Sequence, residues 1–144
     1  MRLDKKMAET IIKQSIFHDG AHFGIRITIG LIFIMHSLGK FEPGFLGFLG
    51  KLGLPPEMQF PIALAEFVPG VLLILGGMTR ISAAVLCAVM LGAIFVVKGA
   101  QSLTGDGGVE LDVLLLAGCL VIIVIGPGRI SVSYILKKVP RFLQ

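Results

Sequence analysis

A few ionisable side chains fall inside long apolar stretches of this 144-residue chain, and they are the residues with chemistry to offer. Glu66 is the single ionisable residue between positions 60 and 79. His36 and Lys40 stand four apart, on one face of a helix. Lys98 closes an uncharged run, Glu110 and Asp112 open the next, and Arg26 lies within the first. A charge at the bilayer centre costs at least about 2.5–3.5 kcal/mol on insertion scales, so such groups turn toward protein or water. Glu66 and His36 are the types that bind or relay a proton. Glu66 shares a helix face with Gly70 and Gly77, which directs it toward a packed neighbour. His36 is its expected partner, and a backbone carbonyl freed by Pro69 is the second choice. His36, Glu66 and Asp112 are also metal-ligand types, but no HxxE or ExxH spacing accompanies them, and no metal site is expected.

Arg26 has three open readings: snorkelling to lipid phosphates, pairing with Glu66, or contacting an anion or a quinone carbonyl. Its depth differs from that of Glu66 by about 10 Å, which disfavours the pairing. Lys40, Lys98, Glu110 and Asp112 are read as markers of the water boundary, with a shared pocket as the alternative. Cys87 and Cys119 fall at similar depths among leucine, valine and alanine, and without a CxxC motif they read as small core residues. No P-loop, GxSxG elbow, CxxCH haem motif or Rossmann glycine pattern occurs, so no catalytic residue is assigned.

The elements that must position these groups follow from composition. Hydrophobic residues make up 55% and charged residues 15%, against about 25% charged in a soluble domain. Disorder and a soluble fold are excluded, and two cysteines cannot form a disulfide scaffold. The net charge of +4 sits at the ends of apolar runs, which points to anionic lipid and not to nucleic acid. Four such runs, at about 22–40, 60–79, 81–97 and 111–126, have the length of membrane-crossing helices. The expected fold is therefore all-α: a polytopic four-transmembrane-helix bundle over 20–134, with a tight hairpin at Arg80.

Residues 1–19 place Leu3, Met7, Ile11 and Ile16 on one face, which predicts an amphipathic surface helix, broken at Asp19 and Gly20. Residues 135–144 form a basic cytoplasmic tail, after a short surface helix starting at Ser131. Nine basic residues on one side (Arg2, Lys5, Lys6, Lys13, Arg80, Arg129, Lys137, Lys138, Arg141) against Lys40, Lys51 and Lys98 on the other place both termini in the cytoplasm of a cell membrane. The outer loop, FEPGFLGFLGKLGLPP, is either a short re-entrant helix acting as a lid or a loop on the outer headgroups. Ala84, Ala88 and Gly92, and Gly70 with Gly77, are small-residue stripes suited to close helix packing.

Three segments carry a resemblance. GLIFIMHSLGK after Arg26, LAEFVPGVLLILGGMTRISA, and ELDVLLLAGCLVIIVIGPGRISV together resemble the DoxX-like membrane proteins over about residues 22–134. Ser37 stands where the family has glycine, and Pro69 is added within the second run, where it would kink the helix below Glu66. The resemblance implies a four-helix membrane bundle associated with respiratory or sulfur-linked oxidoreduction. It supplies no agreed catalytic residues. Arg26, His36, Lys40, Glu66, Arg80 and Asp112 match its polar pattern. The combined reading is an accessory subunit of a membrane oxidoreductase complex, partnered by other integral membrane subunits and lipids. It binds no redox cofactor by a motif of its own, but shapes a quinone or lipid site. Two alternatives stay open: a proton-coupled transporter or channel using Glu66, and a quinone-dependent oxidoreductase using Cys87 and Cys119.

Overall fold

The computed structural model describes residues 16–136, and it is all-helical among them. Helix α1 spans Ile16–Leu38 and ends in a 3₁₀ turn, Gly39–Phe41. A short α2, Gly44–Lys51, is followed by a second 3₁₀ turn at Pro56–Met58. Helix α3 spans Gln59–Leu75 and continues through Pro69. Helix α4, Thr79–Gly92, runs on as a π-helical turn, Ala93–Val97. Helix α5 is Glu110–Ile125, and α6 is Val132–Leu136. Residues 1–15, where most of the amphipathic helix is expected, and 137–144 of the basic tail lie outside the described residues.

Three helical segments, Ile16–Phe41, Pro56–Leu75 and Thr79–Val97, are long and apolar enough to cross a membrane. Helix α5 has 16 residues, about 24 Å at 1.5 Å per residue, and is shorter than these. The surface is that of a protein in lipid. Met35, Phe60, Phe95, Leu114 and Val124 are more than half exposed, whereas Arg26, Ser37, Glu66, Thr79 and Asp112 are buried. Apolar exposure on this scale is not tolerated by a soluble monomer, but it costs nothing against hydrocarbon.

Packing is led by α1 against α3, then α4 against α5 and α3 against α4, with α1 touching α5 more lightly. The α1–α3 crossing is set by two glycines. A Cβ on Gly30 would stand 2.6 Å from the Gly70 carbonyl oxygen, and one on Gly70 would stand 3.0 Å from that of Gly30. Only backbones without side chains approach so closely. Phe33, Leu73, Leu86, Cys119 and Ile122 fill the core between the helices.

Three expectations are corrected. Helix α1 runs unbroken through Asp19 and Gly20; Asp19 faces Arg129 at 3.9 Å, and a single glycine costs a long helix only about 1 kcal/mol. The α3–α4 hairpin turns at Gly76–Met78, not at Arg80, because Gly76 takes the left-handed conformation (φ 72°) that ends a helix. The Ala84, Ala88, Gly92 stripe does not pack against another helix among the described residues: the two alanines are exposed, and nothing lies within 4 Å of a Cβ built on Gly92.

Candidate functional site

Each of the four long helices brings one charged side chain to the same end of the bundle, and a cavity of about 650 Å³ opens among them. Lys40, just past α1, forms an ion pair with Glu66 of α3. Lys98, just past α4, donates to Asp112 of α5 at 2.6 Å and to the Gly108 carbonyl at 2.8 Å. Between these two pairs the walls are apolar, with Phe33, Ile62, Met90, Val97 and Leu115 among them.

Local structure explains the placements. The 3₁₀ turn Gly39–Phe41 carries Lys40 around the end of α1, and the buried Gln59 pins it by donating to the Lys40 and Glu42 carbonyls at 3.0 and 2.9 Å. The π turn holds Lys98 through its N–H to the Ala93 carbonyl, at 3.0 Å. Such turns insert a residue into a helix and recur at functional sites. Here the π turn lines the cavity through Ala93, Val96 and Val97.

Helix α2 forms one wall. Its Leu49 is buried, Phe45 stacks on Phe48 with centroids 5.4 Å apart, and the Lys40 ammonium lies 5.9 Å from the Phe45 ring. Phe41 meets the edge of Phe67 at 6.1 Å. Of the two expectations for the outer loop, the helix is the one formed. Nothing lies within 4 Å of a Cβ on Gly44, Gly47 or Gly50, so the three glycines face open space and the phenylalanines and leucines supply the contacts.

The electrostatics are those of a desolvated site. Glu66 is 2% exposed, and its Oε2 has no hydrogen-bond partner among the described residues. A buried carboxylate needs a paired charge, and Lys40 supplies it. The site therefore holds ammonium donors with N–H groups to spare beside an acceptor oxygen without a donor.

Four of the five sequence-predicted site residues come together: Glu66, Lys40, Asp112 and His36 all line the cavity. Within this group the expected pairing is corrected. His36 is exposed, and its Nδ1 donates to the Ile32 carbonyl at 2.8 Å, one turn back on its own helix. Four residues further on, Lys40 has the longer and more flexible stem, and it reaches Glu66 instead. Lys40, Lys98 and Asp112, expected as markers of the water boundary, also line the cavity.

Arg26 is elsewhere, about 21 Å along α1 from Lys40. It is fully buried, donates to the carbonyls of Pro127 and, at 2.6 Å, Ile130, and stacks 5.5 Å from the Phe23 ring. Neither Glu66 nor the bilayer surface is its partner; it ties the segment after α5 to α1. Lys98 and Gln59 were missed as site residues. The available signal for Lys98 was its position as the only charge ending the 81–97 run. Cys87 and Cys119 are free thiols packed in the core. Among the described residues no three His, Cys, Asp or Glu side chains converge as a metal site.

Comparison with known proteins adds the following. The profile of a family described as DoxX matches residues 21–99. A Bacillus subtilis protein named "Putative oxidoreductase CatD" is 38% identical over 94 residues, covering 64% of this chain and 69% of that one. An uncharacterized membrane protein of Mycobacterium tuberculosis is 32% identical over 130 residues, covering 79% of this chain and 80% of that one. No solved structure matches.

Proposed function

Given that the chain belongs to the DoxX family of membrane proteins, we propose that it is a quinone-binding accessory subunit of a membrane oxidoreductase complex. The observation that carries this reading is the cavity: apolar walls between two lysine–carboxylate pairs, at one end of a lipid-facing bundle. Its volume of about 650 Å³ suits a quinone ring with the first units of its tail. A quinone supplies two-electron carrying capacity when bound. The residues fit both of its stable forms. The Lys40 and Lys98 ammoniums have N–H groups left to offer carbonyl oxygens, and Glu66 Oε2 is an acceptor for a hydroxyl. Phe45, Phe48 and Leu49 of α2 would keep water from the ring.

The name of the Bacillus subtilis relative supports oxidoreduction as the context. In this reading α5 is the fourth span, completing the bundle against α4, and both termini are cytoplasmic. The exposed Ala84 and Ala88 face of α4 is where another membrane helix packs. A transporter using Glu66 is the weaker reading, because Lys40 holds that carboxylate in an ion pair.

Solubilisation in mild detergent, followed by native electrophoresis and mass identification, tests the reading. Larger membrane chains in fixed stoichiometry, with extractable quinone, are expected. A monodisperse single chain without quinone contradicts it.

A further inference from the structure

A second, smaller cavity of about 220 Å³ lies at the opposite end of the bundle, walled by His18, Asp19 and His22 of α1 and by Ile125, Gly128, Arg129 and Tyr134. We propose that it is a binding site for a phosphate group, with the headgroup of an anionic phospholipid as its source.

The argument starts from the GPGR turn after α5. Its first three residues each meet a nitrogen-bearing side chain, and the fourth supplies one. Arg80 packs on Gly126, with its Nε 3.3 Å from where a Cβ would be. Arg26 donates to the Pro127 carbonyl. The His22 ring lies against Gly128, its Nδ1 2.9 Å from where a Cβ would be. Arg129 stands across from Asp19. Both glycines have positive φ (85° and 70°), so the turn requires glycine for its backbone and for the space these side chains occupy.

Three features point to an anion. His22 is 4% exposed and lines the cavity, yet its Nε2 has no hydrogen-bond partner among the described residues. An imidazole carries an N–H in either charge state and can donate to an oxyanion. Arg129 is held only loosely, at 3.9 Å from Asp19, with 56% of its side chain exposed, so its guanidinium is available for the two-pronged contact that phosphate favours. Tyr134 adds a phenol at the rim. Among the described residues Asp19 is the one acid in the cavity wall, and it competes with an incoming anion for Arg129.

Depth selects the source. His22 and Lys40 are 18 residues apart on α1 and the turn that continues it, about 27 Å at 1.5 Å per residue. That is close to the roughly 30 Å of the hydrocarbon core. With the ion pairs of the large cavity near one boundary, this cavity falls at the phosphate level of the other leaflet. The inference does not rest on the quinone reading.

The test uses the full chain, delipidated and returned to nanodiscs with equal phosphatidylglycerol and phosphatidylcholine, with retained lipid read by native mass spectrometry. Phosphatidylglycerol should be enriched. Arg129→Gln should reduce the enrichment about tenfold, the loss of one charge-assisted contact. Asp19→Asn should raise it, because the competing carboxylate is gone. A second arm measures radiolabelled inorganic phosphate on the protein in phosphatidylcholine alone. Saturable binding abolished by Arg129→Gln supports the phosphate site with free phosphate as its source. Absence of both lipid preference and phosphate binding overturns the proposal. So does an enrichment indifferent to Arg129→Gln or lowered by Asp19→Asn.

Discussion

Replacing Lys40 by methionine should be among the most damaging single changes at the large cavity, and more damaging than neutralising its partner. Lys40→Met leaves the Glu66 carboxylate with 3% of its side chain exposed and no counter-charge. Removing one member of a buried pair costs about 3–5 kcal/mol. The Lys40 side chain is 23% exposed, so solvent already screens part of the interaction. A loss of about 2–3 kcal/mol is therefore expected. Glu66→Gln leaves a lysine whose flexible stem can carry its ammonium toward water, at about 1 kcal/mol. The double variant Lys40→Met/Glu66→Gln should recover most of the Lys40→Met loss, because no uncompensated charge remains. His36→Ala, which removes only a contact to its own helix, should stay within about 0.5 kcal/mol. The protein supplies its own reporter. Cys87 and Cys119 are free and buried, so a thiol-reactive fluorophore in detergent reads unfolding as they become exposed. The reasoning fails if His36→Ala costs as much as Lys40→Met, or if the double variant is simply the sum of the singles.

Three further outcomes are expected. Gly30→Val should prevent α1 and α3 from closing, since its side chain would enter the Gly70 carbonyl, while Gly92→Ala, with open space around it, should be neutral or stabilising by up to about 1 kcal/mol; detergent-resistant folding of the two variants compares them. Arg26→Met should release the segment after α5 by removing its donors to Pro127 and Ile130, and a cysteine placed at the buried Ser131 should then label rapidly where it was protected. Leu49→Ala should cost about 2–5 kcal/mol as a large-to-small change at a fully buried position, and it should weaken retention of bound quinone more than Leu46→Ala on the exposed side of α2.

The apolar runs made the long helices legible, because a backbone in lipid has few alternatives to helix. The importance of Glu66 was legible for the same reason: a lone carboxylate in such a run must find a partner inside. The identity of that partner was not. His36 and Lys40 share a face, so periodicity does not choose between them; the 3₁₀ turn that follows α1 and the longer lysine stem decide which one meets Glu66. Arg26 was unreadable for another reason, since its acceptors lie more than 100 residues away in a turn whose path depends on two glycines. The π turn that places Lys98 leaves no mark in composition. The cavity needed the four chain segments together, with α2 folded beside them.

The central claim is that the large cavity holds a quinone, and photoaffinity labelling tests it most directly. A photoreactive benzoquinone analogue added to native membranes, followed by peptide mapping, should label the cavity wall at Phe45, Leu49 or Val97, and Lys98→Met should abolish that label. Label confined to outward-facing positions such as Leu114 and Val124, and unchanged by Lys98→Met, would contradict the account.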